Sequence, residues 1–274
     1  MAQYRPVSEK SMARAYDSIG AQERGRIKEE ISRLFSFYSL QGGIETRSWQ
    51  KSEHACAFSE ITSPKRNLNV FVGAGYSAFS RLLAVIIPAV CCGIKKVFVF
   101  VGDGEKTDAR ILATLEISGI EEIYLWQETT GFDPENLYFY LGQNFGCKDI
   151  SPTGKMTASD YIWVEPQKIK VGVWLESQGS MDTERLFALH PDLDVTVYSP
   201  EARNFEPGSN VCTREEFIAK GHDIVFAPED MLGSCSRAWL RLGPGLENAW
   251  HWPNILSYLL QKKFMAFKEN SLEY

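Results

Sequence analysis

The sequence predicts an α/β protein built from two Rossmann-like parallel-sheet units that follow an N-terminal helical extension. Between residues 69 and 126, three short apolar runs alternate with two helix-like segments. This alternation is typical of parallel strands joined by crossover helices. The same rhythm returns after residue 160 without a repeat of the sequence. We therefore predict an extension over residues 1–68, a first unit over residues 69–150, and a second unit with a C-terminal helix over residues 151–274.

The extension is predicted to contain one long helix over residues 8–41. Ile27, Ile31 and Leu34 recur at helical spacing, with charged residues on the opposite face. Gly42 and Gly43 end this pattern. The mixed pattern that follows, to residue 62, is compatible with short strands.

The two units have the following predicted elements. The first has strands at 69–72, 96–101 and 122–126, and helices at 80–92, 108–118 and 134–145. A polar stretch over 146–160 is a predicted linker. The second has strands at 168–175, 193–198, 222–226 and 238–242, and helices at 182–189, 213–220 and 254–268.

Charge and cysteine content exclude several classes of protein. Acidic residues outnumber basic ones by 35 to 29, which argues against a general nucleic-acid binder. The six cysteines include no CxxC pair and fit reduced thiols in the cytoplasm. The N-terminus has no signal-peptide pattern, and the most apolar stretch, 82–92, is about half the length of a spanning helix. We expect a cytoplasmic protein without a membrane or nucleic-acid partner.

Two glycine-bearing turns follow predicted strands of the first unit, where parallel sheets usually bind ligands. Gly73 and Gly75 precede Ser77 and a helix, so backbone N–H groups and the helix N-terminus could cradle a phosphate. The third glycine of GxGxxG is missing, and a tight turn would need the same glycines. Asp103, after the next strand, is placed to hydrogen-bond a ribose, although an exposed Asp-Gly turn also explains it.

Histidines and cysteines form no recognisable catalytic motif. The four histidines show neither HxH nor HExxH spacing, so the sequence does not predict zinc. Asp223 beside His222 could orient a general base, but solvated turn charges explain the pair. Cys212 and Cys235 lie in polar surroundings and could be nucleophiles or inert thiols. The Gly-Pro-Gly turn and aromatic residues of segment 242–253 could line a pocket or cover the core.

Four segments carry a family resemblance. They are SFYSLQ at 36–41, VFVGAG at 70–75, residues 82–96 with IPA and CGIKK, and residues 111–124 with SGIEEIY. Together they make residues 19–126 similar to the first nucleotide-binding-type domain of histidinol dehydrogenase, in the aldehyde-dehydrogenase-like superfamily. The family's zinc ligands and catalytic residues have no match in this sequence, and Phe71 stands where the family has tyrosine.

This resemblance implies an aldehyde/histidinol-dehydrogenase-like fold and an oxidoreductase that uses NAD or NADP. It implies that Gly73, Gly75 and Ser77 hold the cofactor, that Asp103 contacts its ribose, and that Gln127 lies nearby.

Three functions remain open on the sequence. The first is a divergent histidinol-dehydrogenase-like protein that binds a nucleotide or another phosphate-bearing small molecule and acts as an NAD(P)-dependent oxidoreductase. The second is a non-catalytic binding or assembly protein that kept the fold. The third is an acyl or aldehyde reductase that uses Cys212 or Cys235. The expected partners are a small-molecule ligand and, in a homo-oligomer, further copies of the chain.

Overall fold

The computed structural model describes residues 5–38, 45–51, 56–102, 107–126, 136–142, 162–166, 168–176, 181–200, 210–255 and 257–269. Its strands, in chain order, are β1 (Arg5–Pro6), β2 (Glu45–Lys51), β3 (Cys56–Pro64), β4 (Asn67–Val72), β5 (Lys96–Val101), β6 (Glu122–Leu125), β7 (Asn136–Leu141), β8 (Ile162–Val164), β9 (Lys170–Trp174), β10 (Asp194–Ser199), β11 (Asn210–Val211), β12 (Ile224–Phe226), β13 (Leu240–Leu242) and β14 (Gln261–Glu269). Its helices are α1 (Glu9–Ser18), α2 (Ala21–Tyr38), α3 (Phe79–Cys91), α4 (Ala109–Ile117), α5 (Thr183–Leu189), α6 (Arg214–Ala219), α7 (Glu229–Leu232) and α8 (Ser257–Leu260).

Within the described ranges these strands form three sheets. The first has the order β1-β6-β5-β4-β7-β8, in which β1 is antiparallel to β6 and the other neighbours are parallel. The second has the order β11-β10-β9-β12-β13 and is parallel throughout. The predicted pair of parallel-sheet units is therefore confirmed.

A third sheet joins two segments that are far apart in the sequence. It is antiparallel, with the order β14-β3-β2. The predicted C-terminal helix over 254–268 is therefore wrong beyond the short α8, because residues 261–269 pair with β3 along its whole length. This pairing partner lies about 200 residues earlier in the chain, so local periodicity could not reveal it.

Two further predictions for the first unit need correction. Residues 136–141 form strand β7, not a helix, because this aromatic run is buried beside β4 in the sheet. Periodicity cannot distinguish a short buried strand from a buried helix. The first sheet also continues past the predicted boundary at residue 150, since β8 pairs with β7.

The N-terminal extension contains two helices where one was predicted. Ser8 caps α1 by accepting the N–H of Ser11. The helix ends at Ser18, because the backbone of Ile19 is extended, and Gly20 separates Ile19 from α2. A glycine within a helical pattern lowers helix stability, and here it marks the break.

The second unit follows the predicted order of strands and helices closely. Thr213 and Glu216 form the reciprocal capping box at the start of α6. Helix α3 is buried along almost its whole length, which confirms it as a core helix. Among the described residues, no helix is long and apolar enough to cross a bilayer.

Candidate functional site

The strand order of the first sheet reverses between β4 and β7. The chain runs from β4 outward through β5 to β6, and then places β7 and β8 on the other side of β4. In open parallel sheets, ligands bind at the carboxyl ends of the strands where the order reverses. The predicted turn at Gly73 and Gly75 lies at the carboxyl end of β4, next to this point.

The glycines of this turn have clear backbone roles. Gly75 has a φ of 77°, in the left-handed region that favours glycine. Gly73 is buried and donates its N–H to the carbonyl of Leu141. A Cβ on Gly102 would lie 3.3 Å from Cα of Ala74, so the ends of β4 and β5 approach closely. The exposed part of the turn is Ala74 and Gly75.

Tyr76 occupies the crevice between the ends of β4 and β7. A Cβ on Gly142, which has a φ of 90°, would lie 3.0 Å from Cδ2 of the Tyr76 ring. The Tyr76 hydroxyl donates to Oε1 of Glu165 over 3.3 Å. Burial, reinforced by the Glu165 charge, raises the pKa of Tyr76 well above its usual value. A neutral tyrosine therefore fills the position where the fold usually receives its ligand.

A buried ion network holds Tyr76 in place and links the two units. Arg81 of α3 donates to Oε1 of Glu165 over 3.0 Å and also pairs with Asp192. The N–H of Gly142 donates to Oε2 of Glu165 over 2.6 Å. Burial raises the pKa of Glu165, while Arg81 and the Gly142 N–H oppose that shift. Glu165 follows β8 and Asp192 follows α5, so Arg81 joins the two parallel sheets.

Segment 242–253 covers the core between the units. Trp250 and Trp252 are buried and pack edge to face, with ring centroids 5.2 Å apart. The indole N–H of Trp252 donates to the carbonyl of Arg81, and the backbone N–H of Trp250 donates to Glu30 of α2. Of the two interpretations that the sequence left open, these contacts support the cover over the core.

None of the three described histidines is an exposed base. His190 is fully buried against Trp250, and burial lowers its pKa to about 3. His222 packs on Tyr198 and Phe217, and burial lowers its pKa too. His251 contacts the Tyr38 hydroxyl through Nδ1 over 2.6 Å. Burial therefore favours the neutral form of each ring.

An open cavity of about 740 Å³ lies beside the carboxyl ends of β5 and β6. We call it the edge cavity. Its walls come from the segment 5–8, from α1, and from the start of α4. The lining combines apolar side chains such as Leu112 and Leu125 with Arg5, Arg14 and several hydroxyl groups. Its size is typical of a small-molecule site.

A second cavity, of about 690 Å³, lies at the carboxyl edge of the second sheet and is lined in part by Cys212 and Arg214. Burial raises the pKa of the Cys212 thiol. Cys235 is buried, and burial raises its pKa as well. Nucleophilic cysteines need a lowered pKa, so these environments favour protonated thiols.

The predicted site residues are only partly placed. Gly73, Gly75 and Ser77 lie together at the end of β4, whereas Asp103 and Gln127 lie outside the described residues. Within the described ranges, no group of three or more His, Cys, Asp or Glu side chains is arranged to hold a metal ion.

Sequence reasoning did not single out Tyr76, Arg81 or Glu165 as a network. One signal was available, because Arg81 is a charged residue in an apolar helical run and a buried charge needs a partner. Glu165 carries no such signal, since its partners come from distant elements.

Comparison with known proteins decides the fold. Residues 2–127 match the family model described as histidinol dehydrogenase. The crystal structure of histidinol dehydrogenase from Elizabethkingia anophelis superposes with a TM-score of 0.65 at 15% identity, covering 98% of this chain and 77% of that one. The fold is that of histidinol dehydrogenase. The resemblance predicted over residues 19–126 is thus confirmed, and in structure it extends to nearly the whole chain.

A second solved structure shows a weaker likeness. NADP-dependent glyceraldehyde-3-phosphate dehydrogenase from Bacillus halodurans C-125, complexed with NADP, has a TM-score of 0.50 at 10% identity, covering 91% of this chain and 79% of that one. No curated protein matches the sequence. The chain is therefore a divergent protein with the histidinol dehydrogenase fold, and at these identities the likeness concerns the fold alone.

Proposed function

We propose that this chain binds a pyridine nucleotide, NAD or NADP, at the carboxyl edge of its first sheet and acts as a divergent NAD(P)-dependent oxidoreductase. The edge cavity is the observation that carries the proposal. It lies at the carboxyl ends of β5 and β6. These two strands belong to the first sheet, whose parallel strands have the order β6-β5-β4-β7-β8. This order is the one in which doubly wound folds bind dinucleotides at the carboxyl edge.

The cavity and the glycine turn fit different parts of such a ligand. Ala74 and Gly75 are exposed at the end of β4, where a backbone without large side chains can approach a pyrophosphate. The apolar wall at Leu112 and Leu125 suits a base. Because Tyr76 fills the crevice between the ends of β4 and β7, a nicotinamide ring would enter that crevice only after Tyr76 moves.

Thermal unfolding and calorimetric titration test this proposal. NAD or NADP at 100 times its Kd should stabilise the protein by about 2.7 kcal/mol. Ser11→Trp adds an indole to the wall of the edge cavity and should abolish this stabilisation. Lys10→Trp places the same side chain on an exposed neighbouring position of α1, outside the cavity lining, and should leave it intact. Absence of any shift at millimolar cofactor in the wild type would contradict the proposal.

A second candidate is a nucleotide-binding protein that does not catalyse hydride transfer. The described histidines favour it, since His190, His222 and His251 are all packed in structural roles. Absorbance at 340 nm with the bound cofactor and a panel of small alcohols and aldehydes separates the two candidates. Binding without turnover supports the second candidate, and turnover that disappears in Ser11→Trp supports the oxidoreductase.

A further inference from the structure

The edge cavity lies where a doubly wound sheet meets the ribose of its nucleotide. Val101, the last residue of β5, and Thr107, which precedes α4, both line the cavity. In this fold class the residues after the second strand of the unit contact the adenosine ribose. An acid that binds the ribose hydroxyls and an arginine that binds a ribose phosphate are the two usual solutions there. The acid predicted from the sequence, Asp103, lies outside the described residues, whereas two arginines line the described cavity.

The lining of the cavity has two chemically different parts. Val101, Leu112 and Leu125 form an apolar wall that suits the face of a purine. Arg5 and Arg14 line another part of the wall, which comes from β1 and α1. Ser8 and Ser11, whose hydroxyls lie 2.9 Å apart, also line the cavity. A cavity that combines an apolar part with a cationic, hydroxyl-bearing part suits an adenosine that carries a phosphate.

Unlike several arginines of the chain, the two cavity arginines have no carboxylate partner among the described residues. Arg81, Arg110 and Arg214 each pair with carboxylates. Among the residues that the structure describes, neither Arg5 nor Arg14 forms an ion pair, and both are exposed. Their guanidinium groups are therefore available to an anionic ligand. Arginine suits this role because its planar fork donates two parallel hydrogen bonds to a phosphate.

The backbone fixes the position of this wall. Arg5 lies opposite Leu125 in the β1–β6 pair, and the N–H of Val7 donates to the carbonyl of Ile123 over 3.0 Å. Ser8 then caps α1, which carries Ser11 and Arg14 one turn apart. The segment is thus ordered by main-chain pairing on one side and by a helix cap on the other. Ordering before binding lowers the entropy cost of holding a ligand.

We propose that the edge cavity binds an adenosine nucleotide whose ribose carries a phosphate, and that Arg5 and Arg14 hold that phosphate. This inference rests on the proposed function in taking the carboxyl edge of the first sheet as the nucleotide site. It makes NADP the preferred pyridine nucleotide over NAD. The 2′-phosphate of NADP and the 3′-phosphate of coenzyme A present the same chemistry, so both must be compared.

Calorimetric titration of the full chain with NADP, NAD, 2′,5′-ADP and coenzyme A tests the inference. NADP should bind at least about tenfold more tightly than NAD, since one charge-assisted contact corresponds to about a tenfold change. Arg5→Gln and Arg14→Gln should each weaken NADP by about tenfold and leave NAD unchanged. Lys10→Gln removes an exposed charge from the same helix outside the lining and should weaken neither ligand beyond a small general loss. Raising the salt concentration should weaken NADP more than NAD.

Each outcome separates this inference from the proposed function. Equal binding of NAD and NADP, unaffected by Arg5→Gln and Arg14→Gln, overturns the phosphate site while the nucleotide proposal stands. Tight, arginine-dependent binding of coenzyme A without binding of NADP or NAD supports the phosphate site and contradicts the pyridine-nucleotide function. No binding by any of the four ligands, with a normally folded chain by circular dichroism, overturns both.

Discussion

Replacing Glu30 by glutamine should make the stability of this protein less sensitive to pH. Glu30 lies on α2 with its side chain fully buried, where it accepts the N–H of Trp250 and pairs with Arg33. Burial raises the pKa of this carboxyl from 4.5 to about 7, although Arg33 and the Trp250 N–H oppose the shift. The folded protein therefore holds a proton on Glu30 that the unfolded chain has already lost near pH 6.

The sign and size of the effect follow from linkage. Below pH 4.5 the carboxyl is protonated in both states, so its ionisation adds no penalty to folding. As the pH rises through 4.5 to about 7, the folded state becomes less stable, because ionisation is disfavoured in the buried site. The rise in pKa from 4.5 to about 7 corresponds to a loss of roughly 3 kcal/mol in the free energy of unfolding, and this loss is complete above pH 7. Glutamine can still accept the N–H of Trp250 and never ionises.

Urea unfolding of the wild type and Glu30→Gln at pH 4.5, 6, 7 and 8 measures this. The difference in unfolding free energy between the two proteins at each pH reports on Glu30 alone. The buried His190 lowers stability as the pH falls below 6.5, but it is present in both proteins, so its effect cancels. We expect nearly equal stability at pH 4.5 and a variant that is about 3 kcal/mol more stable at pH 8. A difference that stays constant across this range would refute the reasoning.

Two further predictions concern packing and charge. Arg81→Met should cost about 3–5 kcal/mol by leaving Glu165 buried without its cation, whereas Arg214→Met, which breaks exposed pairs, should cost at most about 1 kcal/mol. Chemical unfolding measures both losses of stability. Equal losses would show that the buried ion network of Arg81 does not stabilise the contact between the two parallel sheets. Gly172→Ala would place a Cβ 2.4 Å from the His222 ring and should cost about 1–3 kcal/mol in thermal unfolding. Gly233→Ala meets nothing within 4 Å and should be neutral or slightly stabilising, so a similar loss in both would contradict the contact.

The regular elements around the first glycine turn were predictable because their signals are local. The strand before Gly73, the apolar helix α3 and the strand that ends at Val101 all appear within a few residues of their predicted bounds. Binary patterning and glycine positions determine such elements directly. The second unit was predictable for the same reason, including the capping box at Thr213.

The strands β7 and β14 were not predictable from local pattern. An aromatic run such as residues 136–141 fits a buried strand or a buried helix, and its pairing with β4 decides which. Strand β14 exists because β3, far away in the sequence, offers it a partner. Pairing energy between distant segments overrides the weak helical preference of the terminal residues.

The candidate site was likewise predictable only where its signals are local. Gly73 and Gly75 could be predicted as a turn at the end of a strand, because glycine has a specific local conformational role. The closure of that crevice by Tyr76, and its tie to Glu165 and Arg81, required side chains from three elements to converge. Arg5 and Arg14, which have no ion pair among the described residues, likewise line one cavity only because β1 pairs with β6 and α1 follows β1.

The sequence by itself determined that this protein has two parallel-sheet units, because hydrophobic period and turn chemistry are properties of short segments. The likeness to the histidinol dehydrogenase fold came from the resemblance of residues 19–126 to that family. The tertiary structure decided that β14 pairs with the distant β3, which crevice at the sheet edge is closed and which cavity is open. These features depend on contacts between residues distant in the sequence, and packing energy, not local preference, selects them.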